Sequence, residues 1–335
     1  MKHIRHCLTA LFAITISLMV WADSGELFTS GKLSSSLINC IVQDKYGYIW
    51  VGTEYGLSKF DGYRFTNYLH NEEDTTSITD NIISDLLVDK KGNLWIGSAK
   101  GLMRYNYETN DFARLQFPDG RKPRIYSMVE SHNGDILLGT AGYGLYSVKD
   151  RNTQKGTDDL FTIRQERQYA ERDSDVFFTH IYEDKHHYLW QSSHLSIFTR
   201  FIKKQGKVQR KDFKSPCGAP VAFIQHRPQT MLIACMYGIV YYDYRTGRIA
   251  DAGYDFGDYQ NNVTINNATF DHEGNLYIST SEHGVLMIRK GSNRVEQLEN
   301  SNSSFNLATA FVNEIIEDKD NNLWIGCYNK GLYLI

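Results

Sequence analysis

Short apolar runs alternate with polar, glycine-bearing turns along most of the chain, and the alternation repeats. Residues 41–60 read IVQDKYGYIWVGTEYGLSKF, and the same pattern returns at 86–105, 128–148, 268–288 and 315–335. Two weaker copies lie between them, at 181–201 and 223–243. One apolar or aromatic position marks every copy: Trp50, Trp95, Leu137, Trp190, Leu232, Tyr277 and Trp324, spaced 42 to 53 residues apart. A period in the forties built from short strands is the signature of a β-propeller. Seven copies predict an all-β chain of seven four-stranded blades, centred near residues 50, 95, 137, 190, 232, 277 and 324 and spanning 23–335.

Within the first copy, strand a is the Ile-Val-Gln stretch that ends at Asp44. Asp44-Lys45-Tyr46-Gly47 reads as a hairpin turn, because Asp caps backbone N–H groups and Gly supplies positive φ. Tyr48–Thr53 is strand b, a second turn closes at Gly56, Leu57–Phe60 is strand c, and Asp61-Gly62 leads to strand d at Arg64–Tyr68. Runs such as Leu94-Trp95-Ile96 are apolar at successive positions, as expected of a sheet covered on both faces. The last copy reaches Ile335 after strand c. Near the N-terminus, GELFTSGKL from Gly25 matches GYRFTNYL from Gly62, the outer strand of blade 1. Leu27–Ser30 is therefore expected to complete the last blade and close the ring, which removes an exposed sheet edge.

The first 22 residues read differently. Lys2 and Arg5 precede an apolar run from Leu8 to Val20, and Val20-Trp21-Ala22 fits a cleavage site. This is the pattern of a secretory signal peptide cut after Ala22 and too short for a membrane span. Export implies a periplasmic domain that makes no membrane contact of its own. It also places Cys40, Cys217, Cys235 and Cys327 in an oxidising compartment. Four thiols do not make a disulfide scaffold and read as buried residues; Cys40 and Cys327, on neighbouring blades, are the pair worth testing. The chain carries 36 Lys+Arg against 39 Asp+Glu, with no clustered basic excess, so nucleic acid is not an expected partner.

The pattern of Asp, Gly, Leu/Ile-Trp-Ile/Val-Gly-Thr, Gly-Leu and an aromatic is met in full at Asp44–Phe60 and nearly so at Asp89–Tyr105. Repeats three, six and seven keep most of it. Repeat four has His187, Ser192 and Leu195 at glycine positions, and repeat five lacks the Asp and Trp. These residues resemble the two-component regulator propeller repeat. The resemblance implies the periplasmic sensing half of a hybrid two-component system of glycan-degrading gut bacteria. Longer relatives carry a second propeller, a β-sandwich, a transmembrane helix, a histidine kinase and a DNA-binding region. This chain is expected to supply the sensor propeller alone, with an oligosaccharide as ligand and further domains of the same sensor, or a partner protein, as neighbours.

Asp-x-x-Gly-x-x-Trp is close to the Asp-box of sialidase propellers but has one residue more between Asp and Gly, and reads as a structural turn. Gly-x-Ser-x-Gly, His-Glu-x-x-His and a phosphate loop are not present in the sequence. No catalytic residue, cofactor or metal site is expected. His180, His186, His187 and His194 crowd around blade four, yet the turn assignment sends them to opposite faces, so they read as solvated or hydrogen-bonded side chains. The basic run at 200–214 reads as a solvated c–d hairpin, or as a patch for an acidic glycan. Topology puts all b–c turns on one face. They bring Glu54, Tyr55, Lys100, Tyr143, His194, Tyr237, Glu282, His283, Tyr328 and Asn329 into one ring, of residue types that stack on and hydrogen-bond sugars. That ring is the expected ligand face of a rigid scaffold. The alternatives are a secreted propeller enzyme, a glycan lyase or hydrolase, and a truncated protein-interaction scaffold.

Overall fold

A computed structural model describes residues 25–150, 161–169, 177–193, 195–300 and 305–335. The expected signal segment, 1–22, lies outside them. The described strands form seven four-stranded antiparallel sheets, one for each sequence repeat. In blade 1 the strands are Ile38–Gln43, Ile49–Thr53, Gly56–Phe60 and Phe65–Tyr68, so strand a starts earlier than expected and the others shift by a residue. The a strands of successive blades touch one another and surround the axis; they are Ile38–Gln43, Ile83–Val88, Ile125–Glu130, His180–Glu183, Pro220–Arg227, Ile265–Phe270 and Val312–Glu317.

The ring closes through the N-terminal strand. Glu26–Phe28 pairs antiparallel with Gly331–Leu334, with Leu27 opposite Tyr333. This is the expected outer strand of the last blade, displaced slightly toward the N-terminus. Phe28 is buried there against Phe60, Phe65 and Trp324, so blade 7 and blade 1 share a core.

The repeat's Asp and Trp turn out to be one device. Trp50 donates from Nε1 to Asp44 Oδ2 at 2.8 Å, while Asp44 Oδ1 accepts from the backbone N–H groups of Tyr46 and Tyr48. The same bond joins Trp95 to Asp89, Trp190 to Asp184 and Trp324 to Asp318, at 2.7–2.9 Å. A carboxylate held by such donors can be buried without the usual penalty. The Asp is thus a turn cap, as expected, and also the anchor of the blade's largest side chain. Tyr107 and Tyr244 extend the device across blades, each donating its hydroxyl to the Asp of the preceding blade, Asp44 and Asp184, at 3.0 Å.

Strands b are almost wholly buried, completely so at Ile49–Thr53 and Leu94–Ser98, because blades pack face to face. The Gly after Trp-Val or Trp-Ile in strand b marks a close approach between blades. A Cβ on Gly52 would lie 2.7 Å from the Ile83 side chain, and one on Gly326 would lie 2.7 Å from Ile38. Repeat four lacks the a–b turn glycine, and His187 adopts the left-handed conformation itself, with φ 61°. The basic run forms the expected c–d hairpin, Ile197–Lys204 and Lys207–Lys214. All four cysteines of the described residues are free; Cys40 and Cys327 pack in different clusters.

Candidate functional site

Near the start of strand a, six of the seven blades carry a β-bulge, falling between Ile38 and Cys40, Ile83 and Asp85, Ile125 and Ser127, Pro220 and Ala222, Ile265 and Asn267, and Val312 and Glu314. A bulge re-aims side chains that would otherwise alternate between faces. Here both residues of each pair, Asn39-Cys40, Ser84-Asp85, Tyr126-Ser127, Val221-Ala222, Asn266-Asn267 and Asn313-Glu314, line an axial cavity of about 570 Å3. Its wall also holds Glu54, from a b–c turn, and Arg124, which precedes a strand a, but no residue of an a–b turn. The cavity therefore opens toward the b–c face.

The first residue of the pair ties blades together. Asn39 Nδ2 donates to Ile83 O at 2.8 Å, Asn266 Nδ2 to Val312 O at 2.8 Å and Asn313 Nδ2 to Ile38 O at 2.7 Å; Ser84 donates to Ile125 O. The second residue sets the charge of the channel. Asp85 accepts from the backbone N–H of Met128 at 2.6 Å and of Leu86 at 2.9 Å. Burial nevertheless pushes its carboxyl up to about 7. Glu314 accepts from Asn267 Nδ2 at 2.7 Å and is pushed up to about 8, first by burial and then by the charge of Asp85. Cys40 is raised by burial and by both acids, which places the three groups in one electrostatic neighbourhood. Arg124 Nε is buried without a hydrogen-bond partner, and its guanidinium lies 5.3 Å from the centre of the Tyr126 ring. The channel thus offers amide donors and acceptors, two carboxyls that exchange protons near neutrality, one cation and the rings of Tyr126 and Tyr182.

The turn residues expected to form the ligand face occupy b–c turns where described, and several of them are engaged by neighbouring side chains. Glu54 reaches the channel mouth, accepting from Asn39 Nδ2 at 2.9 Å. Lys100 pairs with Asp80 at 3.0 Å. Tyr143 lies under the Arg121 guanidinium, and Tyr237 stands exposed beside Gly218. Glu282 binds Thr264, His283 meets Asn262 O at 3.0 Å, and Tyr328 packs on Phe311. Asn329 takes the left-handed turn conformation, with φ 65°. His194 lies outside the described residues. The histidines of blade four separate as the turn assignment implies: His180 lines the channel, His186 packs against Tyr244 in an a–b turn, and His187 faces His132 of blade three. The pairs in the channel wall went unread, although the sequence holds a signal: Asp85 and Glu314 are charged residues in strand a, each four residues before the turn Asp.

A β-propeller with a polar axial channel is the class that this fold and site define. Residues 32–55, 77–100 and 306–329 match the family described as two component regulator propeller. A 47-residue stretch is 55% identical to a histidine kinase of Formosa agariphila, covering 14% of this chain and 3% of the kinase. The fold is shared with the extracellular domain of a protein described as a hybrid two-component system from B. thetaiotaomicron, at TM-score 0.77 and 21% identity over 93% of this chain and 41% of that one. It is also shared with virginiamycin B lyase from Staphylococcus aureus, solved with quinupristin, at TM-score 0.67 and 14% identity over 92% and 97%. The chain therefore spans well under half the length of the two-component relatives. No helix of the described residues is long and apolar enough to cross a membrane.

Proposed function

We propose that this chain is the ligand-sensing propeller of a two-component regulator, acting in the periplasm after export by its N-terminal leader. The ligand is an oligosaccharide that enters the axial channel from the b–c face. The observation that carries this reading is the channel wall itself. Asn266, Asn267, Asn313, Asp85, Glu314 and Arg124 provide the density of neutral and charged hydrogen-bonding groups that recognises hydroxyls, and Tyr126 and Tyr182 provide rings for sugar faces. The repeat match and the likeness to an extracellular two-component domain support the same reading. The chain binds and does not turn over its ligand; signalling follows from a ligand's different affinity for two placements of the propeller relative to its neighbours. Calorimetric titration of purified protein with a panel of neutral, uronic and sulfated oligosaccharides tests it. One class should bind, and Asn267→Ala should weaken that binding at least about tenfold. A panel without binders, or unchanged affinity in the variant, removes the channel from the proposal.

A second reading has its own observation. Two carboxyls poised near neutrality in one cavity are the equipment of general acid–base chemistry, so a glycan lyase or hydrolase is the competing function. Product formation from the bound oligosaccharide, abolished in Glu314→Gln, would establish it. Binding with intact ligand recovered would dismiss it.

A further inference from the structure

On the side of the ring away from the channel mouth, the a–b turns of blades 3 and 4 bring two histidines onto one carboxylate. His132 Nδ1 lies 2.5 Å from Glu183 Oε1, and His187 Nδ1 lies 3.4 Å from the same oxygen. The two imidazole rings are 4.1 Å apart, centre to centre. One ligand atom from each residue falls within 4.8 Å of the other two. Glu183 is largely buried, while both histidines are half exposed on the wall of a separate cavity of about 220 Å3 between the blades.

The repeats supply an internal control. Blades 6 and 7 build the same corner: His272 donates its backbone N–H to Glu317 at 2.7 Å, and its Nδ1 lies 2.6 Å from Glu317 Oε1. Blades 2 and 3 use Lys90 N and Glu130 in the same way. A His–Glu pair at this corner is thus a blade-to-blade latch. Among the described residues, blade 4 alone adds a third group. Three residues after the turn Asp (Ser131 in blade 3), blades 1, 2, 3 and 6 have Gly47, Gly92, Gly134 and Gly274, and blade 7 has Asn321, all with positive φ. His187 holds that position with φ 61°, a conformation that L side chains adopt at a cost. A latch needs no imidazole there. His132 also donates its backbone N–H to Glu183 Oε1 at 3.0 Å, and at 2.5 Å its Nδ1 is a hydrogen-bond donor to the same oxygen; with the imidazole protons released, two Nδ1 lone pairs and the carboxylate face one point, the donor set of a borderline divalent ion.

We infer that His132, Glu183 and His187 form a binding site for one divalent transition ion of the Zn2+ class, fastening blade 3 to blade 4. Both imidazoles ligate through Nδ1 and Glu183 through Oε1. Three protein ligands leave a tetrahedral ion one further position, open to water or a ligand atom. The site is independent of the channel and of the sensing function proposed for it.

Titration of chelator-stripped protein with ZnCl2 by calorimetry tests the site. The expected result is one ion per chain, with a Zn2+-dependent rise in melting temperature. Co2+ in its place should give the visible absorption of a tetrahedral complex. His187→Asn installs the residue that blade 7 carries in the same turn, so the fold is retained; melting of the metal-free variant beside wild type checks this. His187→Asn should lose at least about tenfold in affinity, and His272→Asn, at the two-member corner, should lose nothing. No binding to wild type, equal affinity in His187→Asn, or an equal loss in His272→Asn would each overturn the assignment.

Discussion

Asn313 donates from Nδ2 to the carbonyl oxygen of Ile38 at 2.7 Å, joining residues 275 positions apart. It is the closing member of a chain of bonds in which a bulge residue of one blade grips the strand of the next. The same bond joins Asn39 to Ile83 and Asn266 to Val312. The seam between the last and first blades is thus fastened on the axis by Asn313 and on the rim by the pairing of Glu26–Phe28 with Gly331–Leu334. Asn313→Ala should lower unfolding stability by about 1 kcal/mol, the ordinary net value of one such bond. Asn266→Ala, at a blade boundary the chain crosses directly, should cost the same. Urea unfolding of both variants checks this; a much larger loss for Asn313 would mean that the seam holds the ring by that bond alone.

The Asp–Trp device predicts a larger effect. Asp44 accepts four hydrogen bonds, from Tyr46 N, Tyr48 N, Trp50 Nε1 and Tyr107 Oη, and is almost wholly buried. Asp44→Ala strands the buried Trp50 N–H and two turn amides, at a cost of about 2–4 kcal/mol. Asp44→Asn should not rescue it, because its amide group turns donors toward donors. Blade 5 has Leu232 in place of the Trp and is folded without the device, so the repeat tolerates its loss only where the side chain that needs it is also gone. Thermal melting of both variants reads the outcome; a near-wild-type melt for Asp44→Asn would contradict the donor count.

Seven blades, their strand order and the N-terminal closing strand were legible because they rest on local signals: the turn Asp, glycines at fixed offsets and apolar runs of strand length. The b–c turn residues were placed on their turns for the same reason. The partners they take there were not legible, since Lys100 finds Asp80 and Glu282 finds Thr264 through contacts outside the repeat pattern. The channel wall was missed because strict alternation sends one residue of each pair into the sheet, and only a bulge turns both Ser84 and Asp85 to the axis. The meeting of His132 with His187 was missed because it joins two turns of different blades, 55 residues apart.

The cysteines divide by environment. Ser215 lies 3.2 Å from Cys235 Sγ and 3.7 Å from Cys217 Sγ, and a hydrogen bond from Cys235 holds the Cys217 thiol below the usual range. Cys235 is raised in return, Cys40 is raised by burial and the neighbouring acids, and burial pushes Cys327 up to about 12. Iodoacetamide at pH 7 should therefore label Cys217 first in the reduced native protein. Peptide mapping by mass spectrometry reads the order, and earlier labelling of Cys40 or Cys327 would refute it.

The channel acids give the protein a pH dependence with a definite sign. Glu314 holds its proton in the folded state up to about pH 8, far above the range of an unfolded carboxyl. A carboxyl raised on folding favours the folded state while both states are protonated, and that contribution is lost as pH rises through the folded value. Wild-type stability should therefore fall between about pH 5 and 8 by more than the rest of the protein dictates. Glu314→Gln removes the ionisation and keeps the oxygen that accepts from Asn267 Nδ2. Its melting temperature should match wild type near pH 4 and exceed it at pH 8, with a shallower slope between. Parallel profiles for the two proteins would mean that the carboxylate of Glu314 is solvated in the channel, and would remove the ground for treating it as a general acid.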